Sequence, residues 1–243
     1  MRNKTAAAIV IGNEILSGKV IDANAAFLAK ELRSLGVDLV RILVIPDDLE
    51  VIGATVRDYS AQFDVVFTSG GVGPTHDDIT MAGIARGLDR DLVHHPLLVE
   101  KLRAYTSGEL TGPKLKMAEV PAGAEPIFDG ELPFPVVRVD NVYILPGIPE
   151  LFREKFLAMR ARFAVDPFFV RVVYTSAPES AIAGHLNATI AAFPELLLGS
   201  YPKLSDPDYQ VRVTLESKNE DYVNRALEHL VSRLPAEVVV RTE

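Results

Sequence analysis

Phe67-Thr-Ser-Gly-Gly-Val-Gly-Pro-Thr-His-Asp-Asp-Ile-Thr80 is the stretch from which the fold can be read. Val65, Val66 and Phe67 form a short continuous run of β-branched and aromatic residues, the pattern of a strand covered on both faces. Gly70, Gly71 and Gly73 follow at once, able to take positive φ and to bring bare N–H groups against a ligand. Asp77, Asp78 and Thr80 then open a helix. Strand, glycine turn and helix start together make a phosphate site. A plain tight turn with a capped helix would use the same glycines, and the adjacent carboxylate pair favours the ligand site. Neither a P-loop lysine nor a complete dinucleotide fingerprint is present. A bound phosphate would therefore rely on N–H groups and on a cation held by the aspartates.

Outward from this stretch, strand-like and helix-like segments alternate, which predicts a mostly parallel sheet flanked by helices. Ala6 to Ile11 reads as a buried strand ending in Gly12-Asn13-Glu14. Phe27, Leu28, Leu32 and Leu35 recur at helical spacing, with Gly36 as the cap. A strand over Val37 to Ile45 closes in Pro46-Asp47-Asp48, and a helix through Ile52, Val56 and Tyr59 follows. Ile79 to Leu88 and Pro96 to Tyr105 read as helices, whereas the Gly- and Pro-rich Ser107 to Pro135 predicts loops with little regular structure. Val136 to Val139 and Val142 to Leu145 suit a hairpin, and Leu145-Pro-Gly-Ile-Pro-Glu150 starts a helix running to about Phe163. Composition changes near Asp166-Pro167, and the order beyond it reads β-α-β-β-α-β. Two domains are expected, 1–165 and 166–243.

Composition narrows the function. The 243 residues are 48% hydrophobic and carry a formal net charge of −8, enough core for one large or two smaller domains and the wrong sign for a nucleic-acid backbone partner. There is no cysteine, so thiolate nucleophiles, disulfides and zinc-thiolate sites are excluded, and a reducing cytoplasm is the natural setting. The polar start Met1 to Thr5 precedes only about six apolar residues, too few for a membrane span. A soluble protein is expected.

In an open parallel sheet, ligands sit beyond the carboxyl ends of the strands, where strand order reverses. That rule selects Gly12 and Glu14, Asp47 and Asp48, the glycine turn with Asp77 and Asp78, and Pro146, Gly147 and Glu150. Hard oxygen donors of this kind suit Mg²⁺ or Mn²⁺ bridged to substrate phosphate. Each acid could instead cap the helix that follows it. Thr75 and Thr80 offer hydroxyls, and Lys114 and Lys116 come from the irregular segment. His94, His95 and His185 fall in no ligand-spaced cluster.

Gly12-Asn-Glu-Ile-Leu-Ser-Gly18 with Asp22 and Asn24, Pro46-Asp47, Ser69 to Thr80, Leu145 to Glu150, Leu115-Lys-Met-Ala118, Gly199-Ser-Tyr-Pro202 and Tyr209 to Leu215 carry a resemblance. They resemble the molybdopterin-binding-like domain of the competence/damage-inducible protein A family, and most of all the corresponding N-terminal domain fused to eukaryotic FAD synthase. The resemblance implies a three-layer α/β/α domain followed by a small α+β domain, with the site in the first. It also implies a divalent-metal-dependent nucleotide pyrophosphatase that releases AMP from FAD, ADP-ribose or a similar dinucleotide, using Mg²⁺, Mn²⁺ or Co²⁺. Glu14, Asp47 and Asp78 are the expected catalytic residues, with Asp77 and Asp78 holding the metal. Gly12, Asp22, Asn24, Ser69, Gly70, Gly71, Gly73, Thr75, Thr80, Gly147 and Glu150 are the expected substrate-binding residues. Asp77 stands where the adenylyltransferases of this fold usually carry arginine, which weakens a molybdenum-cofactor reading and points to a metal beside the phosphates. The alternative is a molybdopterin-binding or adenylating protein without pyrophosphatase activity. The expected partners are a nucleotide or pterin-type small molecule and a second copy of the chain, and no nucleic acid or membrane. Activities of the amidase and FAD-synthesising domains of such relatives are not expected here.

Overall fold

The computed structural model describes residues 3–105, 110–130, 132, 134–203 and 207–243. The chain divides into two compact units, Met1–Val165 and Asp166–Glu243.

The first unit is built on a six-stranded sheet in the order β2-β1-β3-β8-β7-β6. Its strands are β1 (Thr5–Ile11), β2 (Asp38–Ile45), β3 (Val65–Ser69), β6 (Glu125–Ile127), β7 (Val136–Val139) and β8 (Val142–Leu145). β2, β1, β3 and β8 run parallel, and β7 is antiparallel to both of its neighbours. The alternation of β1 shows why helices cover both faces. Ala7, Ile9 and Ile11 point into one core with Ile52, Val56 and Ile84, while Ala6 and Ala8 point into the other with Leu28, Phe67 and Phe156. The first core lies under α3 (Leu49–Gln62) and α4 (Thr80–Gly87), and the second under α2 (Asn24–Ser34) and α7 (Pro149–Met159). This is the expected three-layer α/β/α arrangement.

Two local devices fix the helices that reach the site. A Cβ built on Gly87 would lie 2.3 Å from the Gly53 carbonyl oxygen, so α3 and α4 touch backbone to backbone. On α7, Phe152, Phe156 and Met159 are buried, with Phe156 stacked on Phe163 at 5.8 Å. That burial turns the flank carrying Leu151 and Lys155 toward the carboxyl ends of the strands.

The Ser107 to Pro135 segment departs from the expectation of irregular loop. It contains α6 (Gly112–Lys116), β5 (Glu119–Pro121), which pairs with β4 (Leu92–His94), and β6, which extends the main sheet. Pro113 starts α6 rather than breaking it, and Pro126 is tolerated on an edge strand, so proline marks the boundaries of short elements here. Residues 106–109, 131 and 133 lie outside the described residues.

The second unit has the order β9 (Phe169–Thr175), α8 (Glu179–Ala192), β10 (Leu197–Pro202), β11 (Val211–Ser217), α9 (Glu220–Arg233) and β12 (Val239–Thr242). Its antiparallel sheet runs β10-β11-β9-β12, the split β-α-β-β-α-β layer. Val173, Val213, Leu215, Val223 and Leu230 form its separate core.

Candidate functional site

Strand order reverses between β1 and β3, and the carboxyl ends of β1, β3 and β8 meet there. Gly70 sits at φ 107, and a Cβ on it would lie 2.2 Å from the Ile11 carbonyl oxygen, so only glycine lets β3 pass β1 this closely. Gly71 also takes positive φ, 63, and a Cβ there would meet Thr80 Oγ1 at 2.3 Å. Thr80 is fully buried. It donates through Oγ1 to Gly70 O at 2.9 Å and through its N–H to Gly71 O at 3.0 Å. The turn is thereby folded back onto the start of α4. The N–H groups of Gly71, Val72 and Gly73 have no acceptor among the described residues, and all three residues line one cleft. Three successive free donors are the physical content of a phosphate cradle.

The far end of the turn is closed by Thr75. Its N–H donates to Asp78 Oδ2 at 2.8 Å, and its Oγ1 lies 2.5 Å from Asp77 Oδ1 and 2.6 Å from Asp78 Oδ2. One hydroxyl proton thus sits between two carboxylates. The Thr75 hydroxyl, then the residue's own backbone N–H, hold the Asp77 carboxyl below the usual carboxylate range, with His76 and Lys116 adding positive charge. Lys116 Nζ donates to the Thr75 carbonyl, so this lysine latches the turn from α6.

The other expected residues separate into those that line the cleft and those that build its walls. Glu14, Gly70, Gly71, Gly73, Asp78 and Gly147 line a cleft of about 490 Å³. Asp47 does not: its Oδ2 accepts the Asn13 N–H at 2.8 Å and so holds the Gly12-Asn13 corner at the end of β1. Gly12 is the residue on which a Cβ would crowd the Glu14 carboxylate, at 2.5 Å. Asp22 accepts from the N–H groups of Asn24 and Ala25, at 3.0 and 3.1 Å, and caps α2. Asn24, only 3% exposed, donates through Nδ2 to Ser69 Oγ and Gly147 O, tying α2 to the ends of β3 and β8. Asp48 caps α3 through the N–H groups of Glu50 and Val51. Glu150 is exposed in the first turn of α7, outside the cleft lining.

Sequence reasoning missed much of the cleft lining, which includes the apolar Met81, Met117, Phe134, Pro135, Val137, Ile144 and Leu151 and one ammonium, Lys155. Burial lowers the Lys155 ammonium to about 8, and it donates to the carbonyls of Phe134 and of Pro135, the latter at 2.8 Å. The available signal was the i, i+4 relation of Leu151 and Lys155 on a helix that starts at a strand end.

The donor set can be weighed for a metal. Among the described residues no three Asp, Glu or His side chains gather into a cage. Glu14 and Asp78 both face the cleft, and Mg²⁺ is commonly held by one or two carboxylates together with water and substrate phosphate. Two such carboxylates fit an ion only where a ligand supplies the remaining donors.

Comparison with known proteins adds the family. Residues 7–162 match the model of the probable molybdopterin binding domain. The chain belongs to that family. Residues 167–243 match a second family model, the FAD synthase middle domain. Among the relatives of this molybdopterin-binding-domain chain, a protein of Archaeoglobus fulgidus is 35% identical over 90% of this chain and 93% of its own length. A probable FAD synthase of Caenorhabditis elegans is 33% identical over 98% of this chain, which spans about half (51%) of that relative. The crystal structure of the protein CinA of Thermoplasma acidophilum superimposes with a TM-score of 0.61 and 34% identity, covering 67% of this chain and 100% of that one. Membership of this family accounts for the α/β fold of the first unit, and the second match falls on the smaller second unit. No helix among the described residues is long and apolar enough to cross a membrane.

Proposed function

We propose that the protein is a nucleotide pyrophosphatase that cleaves FAD, ADP-ribose or a similar dinucleotide and releases AMP. The observation that carries this reading is the mixed lining of the cleft: three free N–H donors and two carboxylates together with a set of apolar side chains and one ammonium. A dinucleotide has the same mixed character, a diphosphate joined to planar rings. The names of the FAD synthase relatives and the second matched family point to the same ligand class.

In this reading the N–H groups of Gly71, Val72 and Gly73 hold the diphosphate, and the α4 terminus adds its partial positive charge. A divalent ion, when bound, neutralises phosphate charge and holds water in a reactive form. Asp78, joined to Asp77 through the Thr75 hydroxyl, presents the carboxylate for it, while Asp47 keeps the Asn13 corner in place. Glu14 has no partner for its carboxylate among the described residues and is open to accept a proton from the attacking water. The water oxygen bonds to the adenylate phosphorus, and the bridging P–O bond breaks. AMP leaves together with FMN or ribose 5-phosphate.

The test is incubation of purified protein with FAD or ADP-ribose and Mg²⁺, Mn²⁺ or Co²⁺, followed by chromatography for AMP. Glu14→Gln should slow release by roughly 10² to 10⁴-fold. The reading fails if no AMP forms with any of these metals. Pterin binding without AMP release would favour a molybdopterin-binding protein.

A further inference from the structure

Lys155 is the cation of the cleft lining, and its position separates it from the phosphate cradle. Phe134 and Pro135, whose carbonyls it holds, lead into β7, and the glycine turn leaves β3. β8 lies between those two strands, so two strand spacings, roughly 10 Å, part the two features. At that spacing a diphosphate seated on Gly71 to Gly73 leaves Lys155 to the part of the ligand beyond it. Its surroundings are ring-binding instead: Phe134 lies 5.7 Å from the ammonium, and Met117, Val137 and Leu151 complete the apolar lining. An ammonium has three N–H groups and no acceptor, and among the described residues two have carbonyl partners. The third is open to an acceptor in the cleft.

We propose that Lys155 is a specificity-determining residue that donates a hydrogen bond to a ring carbonyl of a planar heterocycle seated on Phe134 and Leu151. The class selected is a flavin- or pterin-type ring, which carries carbonyl acceptors, over a ligand whose non-adenylate half is a bare sugar. The proposal rests on the dinucleotide reading of the cleft, and it deepens that reading by naming the half of the substrate that is recognised.

Affinities for FMN, FAD and ADP-ribose, measured by flavin fluorescence and calorimetry on wild type, Lys155→Met and Lys155→Arg, test it. Loss of a charged hydrogen bond at Lys155→Met should weaken FMN and FAD roughly 10- to 100-fold. ADP-ribose should stay within about twofold, since its diphosphate is held elsewhere. Lys155→Arg, which keeps donors and charge, should fall between. Equal weakening of FAD and ADP-ribose in both variants overturns the proposal, as does unchanged FAD affinity in Lys155→Met. Should Lys155→Met not fold, Lys155→Arg decides alone: lost ring preference supports the proposal, and retained wild-type affinity for every ligand overturns it. Wild type that binds FAD with the Lys155 dependence but forms no AMP defeats the pyrophosphatase reading alone. Wild type that binds none of these ligands defeats both.

Discussion

Asn24 at the start of α2 donates through Nδ2 to the carbonyl oxygen of Gly147 at 2.8 Å, joining residues 123 positions apart in sequence. The same amide reaches Ser69 Oγ at 2.9 Å, so one buried side chain holds the ends of β3 and β8 in fixed relation. Removing it leaves the buried Ser69 hydroxyl without this partner and frees the Gly147 carbonyl.

Asn24→Ala should therefore cost about 2–3 kcal/mol of stability. In a chain of this size that is a fall in melting temperature of roughly 4–12 °C. Asn24→Asp should be at least as damaging, because a carboxylate facing Gly147 O is repelled. Calorimetric melts of the two variants check both statements, and unchanged melting would show that the strand ends are held by other contacts.

The glycines differ in what they tolerate. Gly70→Ala combines positive φ with a 2.2 Å clash against Ile11 O and should destabilise by at least about 2 kcal/mol. Gly184 lies inside α8 with nothing within 4 Å of an added Cβ. Gly184→Ala should stabilise by about 0.5–1 kcal/mol through helix propensity. Urea unfolding of this pair should move the midpoints in opposite directions.

The Thr75 hydroxyl favours the ionised form of its neighbour Asp77. Thr75→Val removes the main cause of the lowered Asp77 pKa, so the Asp77 carboxyl should titrate higher, toward 3.8. The sign for folding follows: a depressed carboxylate stabilises above its unfolded value and loses that contribution as pH falls through the folded one. Carboxyl-detected NMR titration of wild type and Thr75→Val reads the shift directly.

Lys155 gives the same slope from a different cause, burial that disfavours its charged form. Its folded value of about 8 lies below the ordinary 10.5, so between these values the unfolded chain binds more protons and stability rises with pH. The stability of wild type relative to Lys155→Met should accordingly increase between about pH 8 and 10.5. Paired denaturation curves at pH 7 and pH 10 check it, and a flat difference would mean that the ammonium is better solvated than its burial implies.

The strands and the glycine turn were legible because their signals are local. Val65 to Phe67 and Ala6 to Ile11 are continuous apolar runs, and the spacing of Gly70, Gly71 and Gly73 carries its own steric meaning. The short elements between 112 and 127 were hidden, since three- and five-residue pieces have no period to detect and their prolines read as breakers. In the site, residue type predicted position better than role. Glu14 and Asp78 do face the cleft, while Asp22 and Asp48 cap helices and Asp47 holds a backbone corner. Whether a carboxylate meets a ligand or an N–H depends on backbone atoms that no motif names. Lys155 was invisible for a different reason: its carbonyl partners belong to an irregular segment 20 and 21 residues away.

The contact of Gly53 with Gly87 bears on how this architecture can change over generations. Because α4 is seated by main chain on main chain at this point, its placement there is set by backbone rather than by side-chain rotamers. Ile52 belongs to the same seam, since its side chain stands where a Cβ on Gly83 would go, whereas core residues off the seam can drift among aliphatic types without dragging the helix start, and the ligand turn attached to it, out of line. Heritable variation in the interior is thus decoupled from variation at the binding edge, so ligand preference can be retuned in the apolar lining while the cradle stays as it is.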